Sequence, residues 1–128
     1  MRALQARLAQ HGVSFGHWTF LRILWERDGL TQRELSDQAG VMEPSTFAAI
    51  SAMEKLGYVG RRQVPGNRKN VYVHLTPEGR ALRRKLEPLA VRVNRIAARG
   101  VSAADRAATR RTLLAMIENL SRSSRPRP

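Results

Sequence analysis

The chain has 128 residues and no cysteine, which excludes disulfides, thiolate metal sites and thiol redox switches. Its formal net charge is +13, and all of that excess lies from Arg61 onward, where 17 basic residues stand against four acidic ones. A neutral half joined to a strongly basic half favours a polyanionic partner, and on charge alone DNA, RNA and an anionic membrane surface are all open.

Other classes of protein are excluded by what the sequence lacks. Hydrophobic residues make up 42% of the chain, enough for one folded domain, but no apolar run reaches the roughly 18 residues that span a bilayer. The first residues lack the apolar core of a signal peptide, so we expect a cytoplasmic protein with no membrane contact. No phosphate loop, HExxH pair, nucleophile elbow or metal-ligand spacing occurs, and we expect no enzyme, no metal and no cofactor.

Two helices are predicted before residue 29. A short amphipathic helix, with Leu4 and Leu8 one turn apart, covers residues 1–10 and is ended by Gly12. The second begins near Ser14 and is apolar on more than one side, which predicts contact with two surfaces. One of those surfaces is a candidate for a partner subunit.

The next two helices have strong start signals. Thr31 and Glu34 form a capping box, in which each side chain accepts a hydrogen bond from the other residue's backbone N–H, so a helix begins there. Gly40 supplies the turn. Pro44 suits the first position of the following helix, which we expect to end at Gly57.

This fourth helix separates into an apolar face and an outward face. The i, i+3, i+4, i+7 spacing selects as packed residues Thr46, Ala49, Ile50 and Met53. The opposite residues are Ala48, Ser51, Ala52 and Lys55, with Ser45 and Phe47 on the flanks. An ordinary solvated face would carry more Glu and Lys, so the outward face is a candidate binding surface. Phe47 is open to contact with DNA, but we favour packing against the neighbouring helix.

A basic hairpin follows. Residues 58–64 and 70–75 have strand patterns, and the turn between them contains Pro65, Gly66 and Asn67. The hairpin carries four basic residues, Arg61, Arg62, Arg68 and Lys69. No acidic residue occurs from residue 56 to residue 77, so the hairpin forms a projecting, positively charged wing.

Two long helices end the chain. Thr76 caps the first, with Pro77 at its first position, and heptad-like apolar spacing runs from Leu82 to Ile96. The last helix begins after Ser102 and has an apolar seam of Leu113, Met116, Ile117 and Leu120. The basic cluster of Arg80, Arg83, Arg84 and Lys85 fits a solvated face better than a ligand-binding one.

The order of these elements resembles the MarR family of bacterial transcriptional regulators. The resemblance rests on TQRELS at 31–36, MEKLG at 53–57, the basic wing, VHLTPEG at 73–79 and the paired terminal helices, and it covers nearly the whole chain. It implies a mainly α fold with a small β-hairpin wing: a winged helix-turn-helix flanked by N- and C-terminal dimerisation helices. The family usually has Asp before the wing-tip Arg, whereas here Asn67 precedes Arg68.

The resemblance implies one MarR-like domain over residues 1–128. Its winged helix-turn-helix core is residues 14–79, its dimerisation helices are 1–12 and 80–121, and residues 122–128 form a flexible tail. It further implies a nucleoid-associated homodimer on a pseudo-palindromic operator in double-stranded DNA. Many members release DNA when a small, often aromatic acid binds, so we expect a repressor with a small aromatic acid or thioester as effector.

Two sets of residues are candidates for these contacts. For DNA they are Thr31, Gln32, Arg33, Ser45, Ala48, Ser51, Lys55, Arg61, Arg62, Asn67, Arg68 and Lys69. On the outward face of the fourth helix, the serine hydroxyls can bond base edges in the major groove and Ala48 can contact a thymine methyl. The backbone N–H groups at the start of the third helix can bind a phosphate. The wing arginines can enter a minor groove or contact flanking phosphates. For the effector they are His11, His17, Trp18 and Arg22, since an Arg beside a Trp suits an aromatic carboxylate.

Rival functions are open. One is a ligand-blind regulator or architectural DNA-binding protein, for which no small molecule would lower operator affinity. Another is a winged-helix protein-interaction module, which would not need the basic wing and would show no salt-dependent DNA binding. An RNA-binding protein is less favoured, because few aromatic residues are available for stacking on bases.

Overall fold

The computed structural model describes residues 2–123, except for the side chain of residue 68. The helices are α1 (Arg2–Ala9), α2 (Phe15–Glu26), α3 (Gln32–Ala39), α4 (Glu43–Lys55), α5 (Pro77–Ala97) and α6 (Ala103–Ser123). The strands are β1 (Leu30–Thr31), β2 (Val59–Val64) and β3 (Asn67–Leu75). The chain divides into two compact units, residues 1–93 and 94–128, each described by itself.

The core of the first unit is built around α2. The Ser14 hydroxyl accepts a hydrogen bond from the backbone N–H of His17 at 3.1 Å and so caps the start of this helix. The buried residues of α2 are Trp18, Phe20, Leu21 and Leu24. They occupy more than one side of the helix, as its all-round apolar pattern predicts. Trp18 lies edge-on to Trp25, with ring centroids 5.6 Å apart.

The predicted capping box of α3 is confirmed. The Thr31 hydroxyl accepts from the N–H of Glu34, and the Glu34 carboxylate accepts from the N–H of Thr31, both over 3.1 Å. Backbone donation to the carboxylate holds the pKa of Glu34 below its usual range. Gly40 ends α3 in the left-handed region at φ 68°, a conformation that favours glycine.

The fourth helix begins one residue before the predicted start. Glu43 is its first residue and Pro44 its second, so the placement of Pro44 at the first position is wrong; both positions tolerate the missing N–H. Thr46, Ile50 and Met53 are fully buried, which confirms the predicted packed face. The Ser36 hydroxyl donates to the Thr46 hydroxyl oxygen over 2.7 Å and joins α3 to α4 inside the core.

The sheet has three antiparallel strands in the order β1-β3-β2. The hairpin of β2 and β3 pairs Val59 with Leu75 near its base and has an irregular register between Gln63 and Val64. β3 begins at residue 67, three residues earlier than predicted. The sequence did not predict β1, a two-residue strand in which Leu30 pairs with Val73.

The start of α5 is held against the base of the hairpin. Thr76 donates from its hydroxyl to the carbonyl of Gly57 over 2.5 Å, while that hydroxyl accepts from the N–H of Gly79 over 3.0 Å. The backbone N–H of Thr76 also donates to the Tyr58 carbonyl over 3.0 Å. The Trp25 indole donates to the carbonyl of Gly79 over 2.9 Å and ties the same turn to α2.

In the second unit, the Ser102 hydroxyl caps α6 by accepting from the N–H of Asp105 over 3.0 Å. This helix includes residues 122 and 123, which the sequence assigned to the tail, and the remaining tail residues 124–128 lie outside the described residues. The residues of α6 are all exposed. No helix within residues 2–123 is long and apolar enough to cross a membrane.

Candidate nucleic-acid interface

Arg61 joins the wing to the outward face of α4. From β2, its guanidinium donates to the backbone carbonyl of Phe47 over 3.0 Å and to the Ser51 hydroxyl over 2.7 Å. The same group lies 4.6 Å from the centroid of the Phe47 ring, a cation–π contact, and 3.8 Å from the Glu54 carboxylate. Only 21% of its side chain is exposed. In this arrangement the Arg61 guanidinium is engaged with α4.

Phe47 corrects an expectation from sequence. It is 56% exposed on the surface of α4 and does not pack into the neighbouring helix. Its ring is contacted by the guanidinium of Arg61, fourteen residues later in the chain. No local pattern in the sequence signals that contact.

The outward face of α4 is otherwise small and polar, as predicted. Ser45, Ala48 and Lys55 are exposed, and Ser51 is half-buried because its hydroxyl accepts from Arg61. This face can approach a large partner closely, since Ala and Ser leave the helix backbone accessible. Such a surface suits the major groove of B-DNA, which is wide enough to admit an α-helix.

A groove of about 580 Å³ brings together the start of α3, the start of α4 and one strand of the wing. It is lined by Thr31, Gln32, Arg33, Glu43, Pro44, Phe47, Lys69, Asn70 and Val71. The start of α3, α4 and the wing, which are separate segments of the sequence, therefore meet at one open surface. The side-chain oxygen of Gln32 is buried there without a hydrogen-bond partner among the described residues.

The rest of the wing presents positive charge. Arg62 and Lys69 are exposed, and Asn67 at the tip is half-buried. The side chain of Arg68 lies outside the described residues. Arg61 and Arg62 also border a smaller depression of about 310 Å³ together with Gln63 and Val71.

The basic cluster at the start of α5 is partly neutralised by ion pairs. Arg80 lies 3.1 Å from the Asp28 carboxylate, and Arg83 lies 3.0 Å from Glu26 and 2.9 Å from Glu87. The hydrogen bond with Glu87 raises the pKa of Arg83 and lowers the pKa of Glu87. These arginines connect α5 to the last residue of α2 and to the turn after it, a role that sequence reasoning missed because Glu26 and Asp28 lie more than 50 residues earlier in the chain.

The four effector candidates differ in exposure. His11 and Arg22 are exposed, whereas Trp18 is 6% exposed and belongs to the core cluster. His17 is half-buried, and burial lowers its pKa. Its Nδ1 atom is buried with no hydrogen-bond partner among the described residues. Within the described residues, the structure thus offers one buried polar atom without a hydrogen-bond partner, on the residue that precedes Trp18 in α2.

Known proteins match the part of the chain that carries the candidate interface. A sequence model of the MarR family matches residues 13–71. The transcriptional regulator FarR of Neisseria gonorrhoeae is 32% identical over 75 residues, which are 59% of this chain and 51% of FarR. The chain spans about half the length of the curated relatives it matches.

Solved structures extend the similarity beyond the matched segment. A MarR transcriptional regulator from Methanosarcina mazei Go1 has a TM-score of 0.87 at 26% identity, covering 94% of this chain and 86% of that chain. The transcriptional regulator PA3341 has a TM-score of 0.81 at 30% identity, covering 93% of this chain and 88% of that chain. The family match, the shared fold and the wing geometry together make this chain similar to the MarR family of transcriptional regulators over most of its length.

Proposed function

We propose that this chain is a sequence-specific, double-stranded-DNA-binding transcriptional repressor, and we attribute no enzymatic step to it. One observation carries the proposal: the small, polar outward face of α4 lies beside a wing that has basic residues and no acidic ones. A helix in the major groove reads base edges, while basic residues beside it neutralise phosphates and fix the register.

The candidate residues other than Arg61, which is taken up in the next subsection, have distinct tasks in this proposal. Ser45, Ala48 and Lys55 face the base edges, and Ser51 takes part through its hydroxyl. The start of α3, with Thr31, Gln32 and Arg33, holds one phosphate near the backbone N–H groups of that helix. Arg62, Asn67, Arg68 and Lys69 contact the backbone or the minor groove beside the recognition helix.

The acting unit in this proposal is a homodimer on a pseudo-palindromic operator. Support comes from the apolar residues of α6, which are more than half exposed in the single chain: Leu113, Leu114, Met116, Ile117 and Leu120. A row of large apolar side chains of this kind favours a protein partner. A two-fold dimer would place two recognition helices on half-sites about one helical turn apart.

The test is selection of operators from a random duplex library, followed by a salt titration of the bound complex. We expect an inverted repeat to be enriched, and we expect log affinity to fall linearly with log salt because each neutralised phosphate releases counterions. Binding without sequence enrichment would favour an architectural protein. Absence of any salt-dependent binding would favour a protein-interaction module instead.

We also propose a small aromatic acid or thioester as the releasing effector, near His11, His17, Trp18 and Arg22. The buried Nδ1 of His17, which has no hydrogen-bond partner within residues 2–123, and the exposed guanidinium of Arg22 support this location. The effector must bind the DNA-incompetent state more tightly, with a coupling of about 1–3 kcal/mol. Titrating aromatic acids into the protein–operator complex tests the proposal, with Arg22→Ala as control; equal release from the variant would place the site elsewhere.

A further inference from the structure

The unusual residue on the outward face of α4 is Phe47. Its neighbours on that face are Ser, Ala and Lys, yet this large apolar ring is 56% exposed. It is also one of the residues that line the groove between α3, α4 and β3. An exposed aromatic ring gains nothing from water, so its place in the proposed reading surface points to an apolar contact with the ligand.

The ring is held in place before any ligand arrives. Arg61 lies against it at 4.6 Å, and the same guanidinium donates to the Phe47 carbonyl and to the Ser51 hydroxyl. Glu54 adds an ion pair at 3.8 Å. A side chain fixed in this way loses little conformational entropy on binding, which is the usual advantage of a preorganised contact. The groove side of the ring remains accessible.

We propose that Phe47 is a specificity-determining residue that reads the 5-methyl group of a thymine in each operator half-site, and that Arg61 is the positioning residue that holds its ring. The inference rests on the proposed function. Among the base edges in the major groove, the thymine methyl is the apolar feature, and apolar side chains including Phe recognise it by contact. Arg61 then contributes to sequence preference and makes no phosphate contact of its own.

Deoxyuridine supplies the probe, because it pairs like thymidine and differs only by the absent methyl. The experiment uses the operator obtained by selection and replaces each thymine in turn, symmetrically in both half-sites. At one position we expect the wild-type chain to lose affinity roughly 10- to 15-fold, since two methyl groups each contribute a factor of about four. The variants Phe47→Ala and Phe47→Leu distinguish loss of the ring from loss of all apolar contact.

We expect Phe47→Ala to bind the thymine and deoxyuridine operators equally, and Phe47→Leu to retain part of the discrimination. Leu56→Ala is the matched control, because Leu56 is 52% exposed at the end of the same helix and should leave the discrimination unchanged. The inference is overturned if no thymine is sensitive, or if Phe47→Ala discriminates as well as the wild type. If selection enriches no sequence at all, the proposed function itself fails, which is a separate outcome.

The positioning role of Arg61 has its own readout. In Arg61→Met we expect the preference for thymine over deoxyuridine to decrease, while the slope of log affinity against log salt changes less than it does in Lys69→Met. A merely structural role would not lower discrimination at one base position selectively. A slope reduced by about 0.9 per subunit, with thymine preference intact, would make Arg61 a phosphate contact and refute the assignment.

Discussion

Gly79 faces the backbone carbonyl of Tyr58 so closely that a Cβ atom on Gly79 would overlap the carbonyl oxygen. The neighbouring atom is backbone and not the end of a flexible side chain, so it cannot move aside without shifting the turn between α4 and β2. Glycine is required here by space and not by backbone conformation, because its φ lies in the ordinary region. The glycine of the LTPEG segment thus has a physical explanation.

The first prediction follows from this contact. Gly79→Ala should destabilise the fold by about 1–3 kcal/mol, because overpacking outweighs the gain of up to about 1 kcal/mol that Ala usually brings to a helix. Equilibrium unfolding in urea measures the difference. Gly60→Ala is the control, since a Cβ there meets nothing within 4 Å. Equal stability of the two variants would mean that the Tyr58 carbonyl is not a rigid neighbour.

The second prediction concerns the hydroxyl pair between α3 and α4. Ser36→Ala removes the donor to the fully buried Thr46 hydroxyl and should cost about 1–2 kcal/mol. Thr46→Val alone should cost a similar amount, whereas the double variant should cost less than the sum of the two. A double-mutant cycle from urea unfolding measures this coupling, and strict additivity would show that the two hydroxyls do not interact.

The third prediction concerns pH. The pKa of Glu34 is lowered in the folded chain, chiefly by the N–H of Thr31, so its charged form stabilises the fold. That contribution is complete above the unfolded-state pKa of about 4.3 and is lost as the pH falls through the lower folded-state value. Glu34→Gln keeps a capping side chain that does not titrate. Wild-type stability should therefore drop more between pH 6 and pH 3 than that of Glu34→Gln; parallel curves would contradict this.

The fourth prediction separates two kinds of basic residue. Arg83 is already paired with Glu26 and Glu87, whereas Lys69 is exposed on the wing. Lys69→Ala should reduce the slope of log affinity against log salt by about 0.9 for every phosphate contact that is lost. Arg83→Gln should leave that slope unchanged. Fluorescence anisotropy on the selected operator at several salt concentrations gives both slopes, and a reduced slope for Arg83→Gln would place α5 on the DNA.

The fifth prediction concerns assembly. Light scattering at micromolar concentration should give twice the chain mass for the wild type, and Ile117→Glu should give the monomer mass. The reason is that Ile117 is 62% exposed within the apolar row of α6, where a charge would be buried by a partner. Ala115→Glu adds the same charge on the opposite side of the helix and should remain a dimer. Dissociation of both variants would show that added charge alone disrupts assembly.

Local signals account for the parts of the fold that the sequence predicted. The Thr31 capping box, the packed face of Thr46, Ile50 and Met53, and the helix start at Thr76 each depend on residues three to seven positions apart. Such spacings are visible in a single sequence, because a helix repeats its faces over the same distance. The presence and order of α3, α4 and α5 could be predicted from these spacings.

Long-range contacts account for what the sequence did not predict. The two-residue strand β1 exists only because β3 pairs with it, and the ring of Phe47 is contacted by Arg61 from a different element. Arg83 donates a hydrogen bond to Glu26, which lies 57 residues earlier in the chain. None of these partners shares a periodic pattern with the residue it contacts, so the contacts cannot be predicted from composition or residue spacing. The same limit applies to the burial of His17 Nδ1, which depends on tertiary packing.

The two carboxylate oxygens of Asp28 bind two different elements. One accepts from the backbone N–H of Leu75 at the base of the hairpin over 2.8 Å, and the other from Arg80 on α5 over 3.1 Å. The Trp25 indole also donates to the Gly79 carbonyl. Hydrogen bonds therefore hold together the end of α2, the base of the hairpin and the first turn of α5. Together with the bonds of Thr76 to Gly57 and Tyr58, the start of α5 is tied to the base of the hairpin at several points, two of which Asp28 supplies, so a displacement of that turn of α5 would also act on the hairpin.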